Sequence, residues 1–280
     1  MADVTKDTVR MIVDTTLRDG EQRAGLAFSP KDKAACAKIM DAIGIFQIEA
    51  GIPAIGNREK EAVCAVKAAC RHAKVSVWCR MVENDIREAF DCRPDFIHIG
   101  VPVSDLQIKT KLCKDRAFIK EQLHRCAETA LCAGYAVSLG FEDASRADID
   151  FVAELAKLAL SLGIRRVRYA DTVGVAAPHK IARDITALAA TGVQAEIHAH
   201  DDLGLAVANT LEAAKNGALY ADTTFFGIGE RAGNCDFNRF VEASGSLFDL
   251  GVHTDSYTLF QAHREISGIL GLTAGDPGVV

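Results

Sequence analysis

The sequence predicts an α/β fold, a TIM (β/α)8 barrel, on three observations. Short apolar, strand-like runs alternate strictly with longer helical runs, which gives a parallel sheet. Eight such pairs fit within 280 residues, the size of an eightfold barrel of roughly 250 residues. The turn after the first run is "TTLRDGEQ", not the G-x-G-x-x-G that a doubly wound nucleotide-binding sheet places there.

The elements follow in order. "RMIVD" (10–14) reads as the first strand, and Pro30 opens a helical stretch to about Gly44. "FQIEAG" is the second strand, followed by the Ala-rich "REKEAVCAVKAACRHA". "VSVWC" precedes a short helix near 83–90. "DFIHIG" precedes a long helix over 115–133. "AVSLGFE" precedes a helix over 148–162. "RRVRYAD" precedes "HKIARDITALAA", and "QAEIHAH" precedes "AVANTLEAAKNG". "ADTTFFG" is the last strand, with a helix after Asp236. Gly44, Gly134, Gly163, Gly192 and Gly217 mark helix ends, where a left-handed residue is needed. No linker or composition shift divides the chain, so residues 1–280 are expected to form one barrel domain. Residues 250–280 read as a less regular extension with a frayed "AGDPGVV".

Composition excludes several function classes. With 49% hydrophobic residues the chain can bury a sizeable core. A net charge of -6 offers nothing to nucleic acid or to an anionic membrane. No apolar run is long enough to span a bilayer, and "MADVTKDTVR" lacks the apolar core of a secretory signal. The nine cysteines include no C-x-x-C pair. Their odd number and irregular spacing argue for reduced thiols, hence a cytoplasmic protein, and against a zinc ribbon.

In a TIM barrel the chemistry sits at the C-terminal ends of the strands. Charged and polar residues gather there. The first strand ends in Asp14, Arg18, Asp19 and Glu21, and the second in Glu49. Arg80 and His98 follow the third and fourth. Glu142 and Asp143 end the fifth, Asp171 and Thr172 the sixth. The seventh gives His198, His200, Asp201 and Asp202, and "GIGERAGN" after the eighth gives Glu230, Arg231 and Asn234. His198 and His200 stand two apart on one strand end, so they point the same way. Two such imidazoles plus a carboxylate from another strand make a divalent-metal site suited to Mn, Zn, Fe or Co, with the carboxylate also suiting Mg. Asp19 is the carboxylate of choice, because only strand eight separates strands one and seven in a closed ring. The plainer reading, two satisfied polar residues at a barrel mouth, is outweighed by acids at so many strand ends. Arg18 is either a salt-bridge partner or a fixed cation for an enolate or oxyanion. Glu142 could equally be a helix N-terminal acid. "GIGERAGN" is either a flexible turn or a glycine loop open to a phosphate or CoA tail. The cysteines read as small core residues, with Cys235 at a strand mouth.

The segments "DTTLRDGEQ", "IEAGIPAIG", "GFEDASRAD", "RYADTVG", "HAHDDLGLAVANT" and "GIGERAGN" resemble the DRE-TIM metallolyases. These include isopropylmalate, citramalate and homocitrate synthases and hydroxymethylglutaryl-CoA lyase. The resemblance runs from about residue 11 to about 245. "AGLAFS", "VPVSDLQIKTKL" and "RYADTVGV" are most similar to the homocitrate synthases of nitrogen fixation. It implies a divalent metal ion (Mg, Mn or Zn), acetyl-CoA as co-substrate, and a Claisen condensation with a 2-oxo acid, 2-oxoglutarate being favoured. Asp19, His198 and His200 match the metal ligands, and Asn234 a position near the metal. Arg18 matches the catalytic arginine, Glu142 the glutamate of the family name, and Thr172 a substrate-contacting threonine. Arg80 is expected to line the 2-oxo acid pocket. Asp202 matches an orienting aspartate, and Asp201 stands where many relatives have asparagine, beside a ligand histidine. Full-length synthases continue into a C-terminal segment whose "HESGIH"-like motif supplies a histidine for acetyl-CoA deprotonation. "HREISGIL" is a faint echo of its approach. The resemblance therefore implies a homodimer, or a partner subunit that carries the missing segment. Short chains of the family are lyases, so an aldolase- or lyase-type activity stays open beside the synthase reading.

Overall fold

The computed structural model describes residues 10–272 apart from 246 and 254. Local chemistry starts and stops its helices. Ser29 and Asp32 form a reciprocal capping box and Pro30 occupies the first helical turn of α1 (Pro30–Ala42). Asp115, Asp148, Asp236 and Asp255 cap α5 (Arg116–Cys132), α6 (Ile149–Ser161), α9 (Phe237–Ser244) and α10 (Ser256–Leu270) by accepting from backbone N–H groups. The remaining helices are α2 (Asn57–Ala69), α3 (Glu83–Ala89), α4 (Asp105–Thr110), α7 (Pro178–Ala189) and α8 (Ala206–Lys215). The expected glycine stops hold: Gly44 and Gly217 take φ of 90° and 111°, a region an L side chain rarely enters.

Between the helices run β1 (Met11–Asp14), β2 (Gln47–Glu49), β3 (Lys74–Arg80), β4 (Phe96–Pro102), β5 (Ala136–Glu142), β6 (Arg166–Asp171), β7 (Gln194–Ala199) and β8 (Ala218–Thr223). They form a closed parallel barrel in sequence order. Closure is made by Met11 to Asp14 of β1 in register with Tyr220 to Thr223 of β8. This is the TIM (β/α)8 barrel that the alternation predicts. The helices cover its outer face with apolar stripes, such as Phe151, Val152, Leu155 and Ala159 of α6. Burying each of the larger of these side chains, Phe151, Val152 and Leu155, contributes about 1.5–3 kcal/mol. Among the described residues no helix is long and apolar enough to cross a membrane.

Two departures from the sequence reading lie toward the C-terminal end of the barrel. The last strand lies three residues earlier than "ADTTFFG". Phe225–Gly227 is instead a tight 3-10 turn, with the Phe225 N–H donating to the Thr16 hydroxyl at 2.8 Å. Part of the supposedly irregular extension is the helix α10, whose buried Ala262, Ile266 and Leu270 recur every four residues. The "AGDPGVV" tail and the first nine residues lie outside the described residues.

The barrel interior is polar. Arg166 donates to Gln47 at 2.7 Å and pairs with Glu196 at 3.1 Å. Arg168 bonds Glu196, reaches Glu49 at 2.8 Å and Asp222 at 2.8 Å. Buried charges survive only when paired, and here cations and carboxylates alternate up the barrel toward its C-terminal mouth.

Candidate metal centre and substrate cleft

His198 is the penultimate residue of β7 and His200 lies just past the strand's end, one pleat on. The chain beyond β8 returns to pin this strand end. His200 bridges to Asn234 in antiparallel register, and Cys235 N–H donates to Ala199 O at 3.2 Å. The two imidazole Nε2 atoms lie 3.4 Å apart. Asp19, on the turn after β1, brings Oδ2 to 3.4 Å from His198 Nε2. One ligand atom from each of Asp19, His198 and His200 falls within 4.8 Å of the others, and all three residues are buried.

These residues fit a divalent ion. The donor set is one carboxylate and two imidazoles. His198 Nδ1 faces Asp222 Oδ2 at 3.0 Å, which turns Nε2 toward the site, where an ion would displace its proton and use the lone pair. Asn234 donates to Asp19 Oδ1 at 2.8 Å, while its own Oδ1 is buried with no hydrogen-bond partner. An orphaned acceptor beside three convergent ligand atoms is what a cation would satisfy. Burial pushes the Asp19 carboxyl up, but Arg18 and the imidazoles outweigh it and hold it well below the usual range. Burial depresses both imidazoles, yet His198 is lifted to about 9 by Asp19 and Asp222, and His200 falls to about 4 beside it.

Arg18 is forked between two acids, with Nη1 2.7 Å from Asp19 and Nε 2.5 Å from Glu49. Its guanidinium also lies 5.9 Å from the Trp78 ring centre, within cation–π range. A cleft of about 290 Å³ opens beside these groups, and Arg18, Asp19, Glu142, Thr172, His198 and His200 all line it. Burial raises the Glu142 carboxyl despite Lys111 at 3.8 Å. Asp143, not Glu142, makes the local contacts of the following turn, pairing with Arg146 at 2.7 Å. Thr172 Oγ1 accepts from Asp143 N–H at 2.9 Å.

Arg80 does not join this cleft. Its side chain is 65% exposed and pairs with Asp85 at 2.6 Å, so it lines a separate neighbouring cavity. The cause is local: Asp85 sits five residues on, in the first turn of α3. Asp201 caps α8 by accepting from Ala206 N–H at 2.8 Å, so its charge is used there. Asp202 pairs with Arg231 at 2.8 Å and ties the β7 and β8 loops together. The buried Cys235 thiol is pushed up by burial, as a core residue's would be. Sequence reasoning assigned no role to Trp78, Gln107, Lys111, Gly140 or Arg168, or to His98 beyond its strand, yet all line the cleft. Period-two spacing carried part of that signal, since Arg166 and Arg168, and Glu196 and His198, share faces of their strands.

A closed barrel with an Asp–His–His cluster and a buried arginine at its C-terminal mouth defines a (β/α)8 barrel with a candidate metal centre. The chain belongs to the HMGL-like (DRE-TIM) family, whose profile matches residues 10–266. It is 46% identical to homocitrate synthase subunit alpha of Clostridium pasteurianum over 263 residues, 93% of this chain and 98% of that protein. It is 42% identical to homocitrate synthase of Frankia alni, over 94% of this chain and 76% of that one. It is 38% identical to 2-isopropylmalate synthase 2 of Caldanaerobacter subterraneus, over 97% and 70%. The hydroxymethylglutaryl-CoA lyase of Pseudomonas aeruginosa shares the fold, with a TM-score of 0.84 at 20% identity, over 99% of this chain and 98% of that one.

Proposed function

We propose that this chain is the barrel subunit of a homocitrate synthase, an acyltransferase that condenses acetyl-CoA with a 2-oxo acid, 2-oxoglutarate being favoured. The observation that carries this reading is the convergence of Arg18, Glu142 and Thr172 with the Asp19–His198–His200 cluster in one cleft. The identity to homocitrate synthases supports the substrate pair.

Asp19, His198 and His200 would hold the divalent ion, Mg, Mn or Zn, with Asn234 behind Asp19. When bound, it supplies positive charge that polarises the keto group of the 2-oxo acid. Arg18, locked by two carboxylates, offers planar donors to an oxygen that gains charge during bond formation. The Thr172 hydroxyl accepts from Asp143 and keeps its own proton for a substrate oxygen. Glu142 stands at the cleft wall with its carboxyl raised, suited to exchanging a proton with bound substrate.

The reading as a subunit rests on the near full-length match to a protein named as an alpha subunit. The chain alone then binds metal and 2-oxo acid but turns over slowly, because general acid–base help worth about 10²- to 10⁴-fold comes from a partner polypeptide. The test combines calorimetric titration of 2-oxoglutarate into the metal-loaded chain with thiol release from acetyl-CoA. The second assay is run on a panel of 2-oxo acids, with and without metal. Binding with slow turnover, raised by the partner polypeptide, is the expected result. Fast turnover by the lone chain overturns the subunit reading. Failure to bind any 2-oxo acid overturns the synthase reading, and cleavage of a preformed 3-hydroxyacyl-CoA would replace it with a lyase.

A further inference from the structure

Six side chains at the barrel mouth close a ring of ionic contacts. Asp19 accepts from Arg18 Nη1 at 2.7 Å, and Arg18 Nε reaches Glu49 Oε1 at 2.5 Å. Glu49 Oε2 meets Arg168 Nη2 at 2.8 Å, and Arg168 Nε meets Asp222 Oδ2 at 2.8 Å. Asp222 faces His198 Nδ1 at 3.0 Å, and His198 Nε2 returns to Asp19 at 3.4 Å. All six residues are buried. The proposed reaction uses Arg18, Asp19 and His198, the upper half of the ring. It gives Arg168, the cation of the lower half, no part.

The barrel's closure puts Arg168 in a special place. β6 and β2 are four strands apart in a ring of eight, so Arg168 spans the interior to reach Glu49. β8 lies two strands from β6, next to β7 and its histidines. One planar guanidinium therefore holds two carboxylates, with Nη2 on Glu49 and Nε on Asp222. Glu49 gives its second oxygen to Arg18, and Asp222 orients His198. Burial pushes the Arg168 guanidinium down, but Asp222, Glu49 and Glu196 outweigh it and hold it well above its usual value, so it stays charged. Burial likewise pushes the Glu49 carboxyl up, and Arg168, ahead of Arg18, holds it below the usual range. Without Arg168, both carboxylates would be buried short of a cation and would shift toward their remaining partners.

We infer that Arg168 is a positioning residue for both arms of the site: through Asp222 it sets His198 in the Asp19–His198–His200 cluster, and through Glu49 it sets the guanidinium of Arg18. This rests on the reading of that cluster as a divalent-ion site. The forked shape is essential, because an ammonium is a compact charge that cannot span two carboxylates in fixed directions.

The experiment uses the purified chain and two probes. Mn²⁺ reports on the cluster, and oxalate, a stand-in for the two-oxygen end of a 2-oxo acid, reports on Arg18. Calorimetry reads the Mn²⁺ affinity first and then the oxalate affinity at saturating Mn²⁺. R168K keeps the charge and loses the fork, so each affinity should fall about tenfold. R168A should lose at least as much. A low concentration of guanidinium chloride should return part of both losses, where sodium chloride at the same concentration does not. Circular dichroism shows that each variant is folded, and if R168A does not fold, R168K decides. A purely structural Arg168 would lower the unfolding midpoint and leave both affinities within threefold of the parent, which overturns the inference. A loss confined to one probe overturns it too, as does rescue by sodium chloride as strong as by guanidinium. These outcomes leave the metal reading intact. A parent that binds no Mn²⁺ removes that reading and the inference together.

Discussion

His198 on β7 and Asp222 on β8 meet at 3.0 Å, through the imidazole Nδ1 and a carboxylate oxygen. The same carboxylate is 2.8 Å from Arg168 Nε. Asp222 thus links the Asp19–His198–His200 cluster to the buried ion network below it, and sets which imidazole nitrogen faces the cluster's centre.

Removing that support should loosen the cluster while leaving its three ligands in place. Groups that orient a ligand histidine are typically worth about 10- to 100-fold in metal affinity. Asp222→Asn should weaken Mn²⁺ binding by that range, read by calorimetric titration. An affinity within twofold of the parent would show that the contact only fills space.

Arg18→Lys keeps the charge and loses the fork that spans Asp19 and Glu49. Turnover of the complete enzyme should fall about 10²-fold, the scale of one lost transition-state donor. The Michaelis constant should move less. Turnover within twofold of the parent would make Arg18 a structural ion pair and nothing more.

Lys33 should prove costly to remove although it lies away from the cleft. It is fully buried on α1, and its ammonium reaches Glu21 at 2.7 Å, Glu59 at 3.0 Å and the Ala50 carbonyl at 3.1 Å. It fastens the loop that follows Asp19 to the loop that follows β2. Lys33→Met leaves two carboxylates without their cation, and breaking a buried pair this way costs about 3–5 kcal/mol. Urea unfolding measures it, and a loss under 1 kcal/mol contradicts the clamp.

Asp41 should give the fold an acid-sensitive joint. Its carboxylate accepts from the N–H groups of Arg71, His72 and Ala73 at 3.1, 2.8 and 2.6 Å. Burial pushes the carboxyl up, and these donors outweigh it and hold it below the usual range. A lowered folded value means the contribution is complete above the unfolded value of ~3.9. It is then lost as pH falls through the lower folded value. Asp41→Asn should therefore destabilise the chain by about 1–3 kcal/mol at neutral pH. The gap between variant and parent should close as the solution is acidified below that range. A gap that stays constant across the range, in urea unfolding at each pH, contradicts the assignment.

The barrel is legible because short apolar runs, longer helical runs and glycine stops alternate eight times in order. The Asp19–His198–His200 grouping was legible because an H-x-H pair on a strand end has one direction, and ring closure puts strands one and seven close together. Arg80 misled because the last residue of β3 reads as a mouth residue, and a salt bridge to Asp85 turns it outward. His98 and Arg168 carried no visible role because a charged or polar residue inside a strand shows its function only through partners. Those partners, Ser138, Glu49 and Glu196, lie 28 or more residues away in sequence. Helix α10 was passed over because its apolar spacing follows an irregular stretch.

The claim on which the rest depends is that Asp19, His198 and His200 hold one divalent ion. It can be tested on the chain alone, whatever partner catalysis needs. Mn²⁺ is titrated by calorimetry into the metal-free chain, His198→Ala and His200→Ala, with circular dichroism confirming that each barrel is folded. One ion per parent chain, and no measurable binding in either folded variant, is the predicted result. Unchanged affinity in both variants would contradict it and place any metal elsewhere.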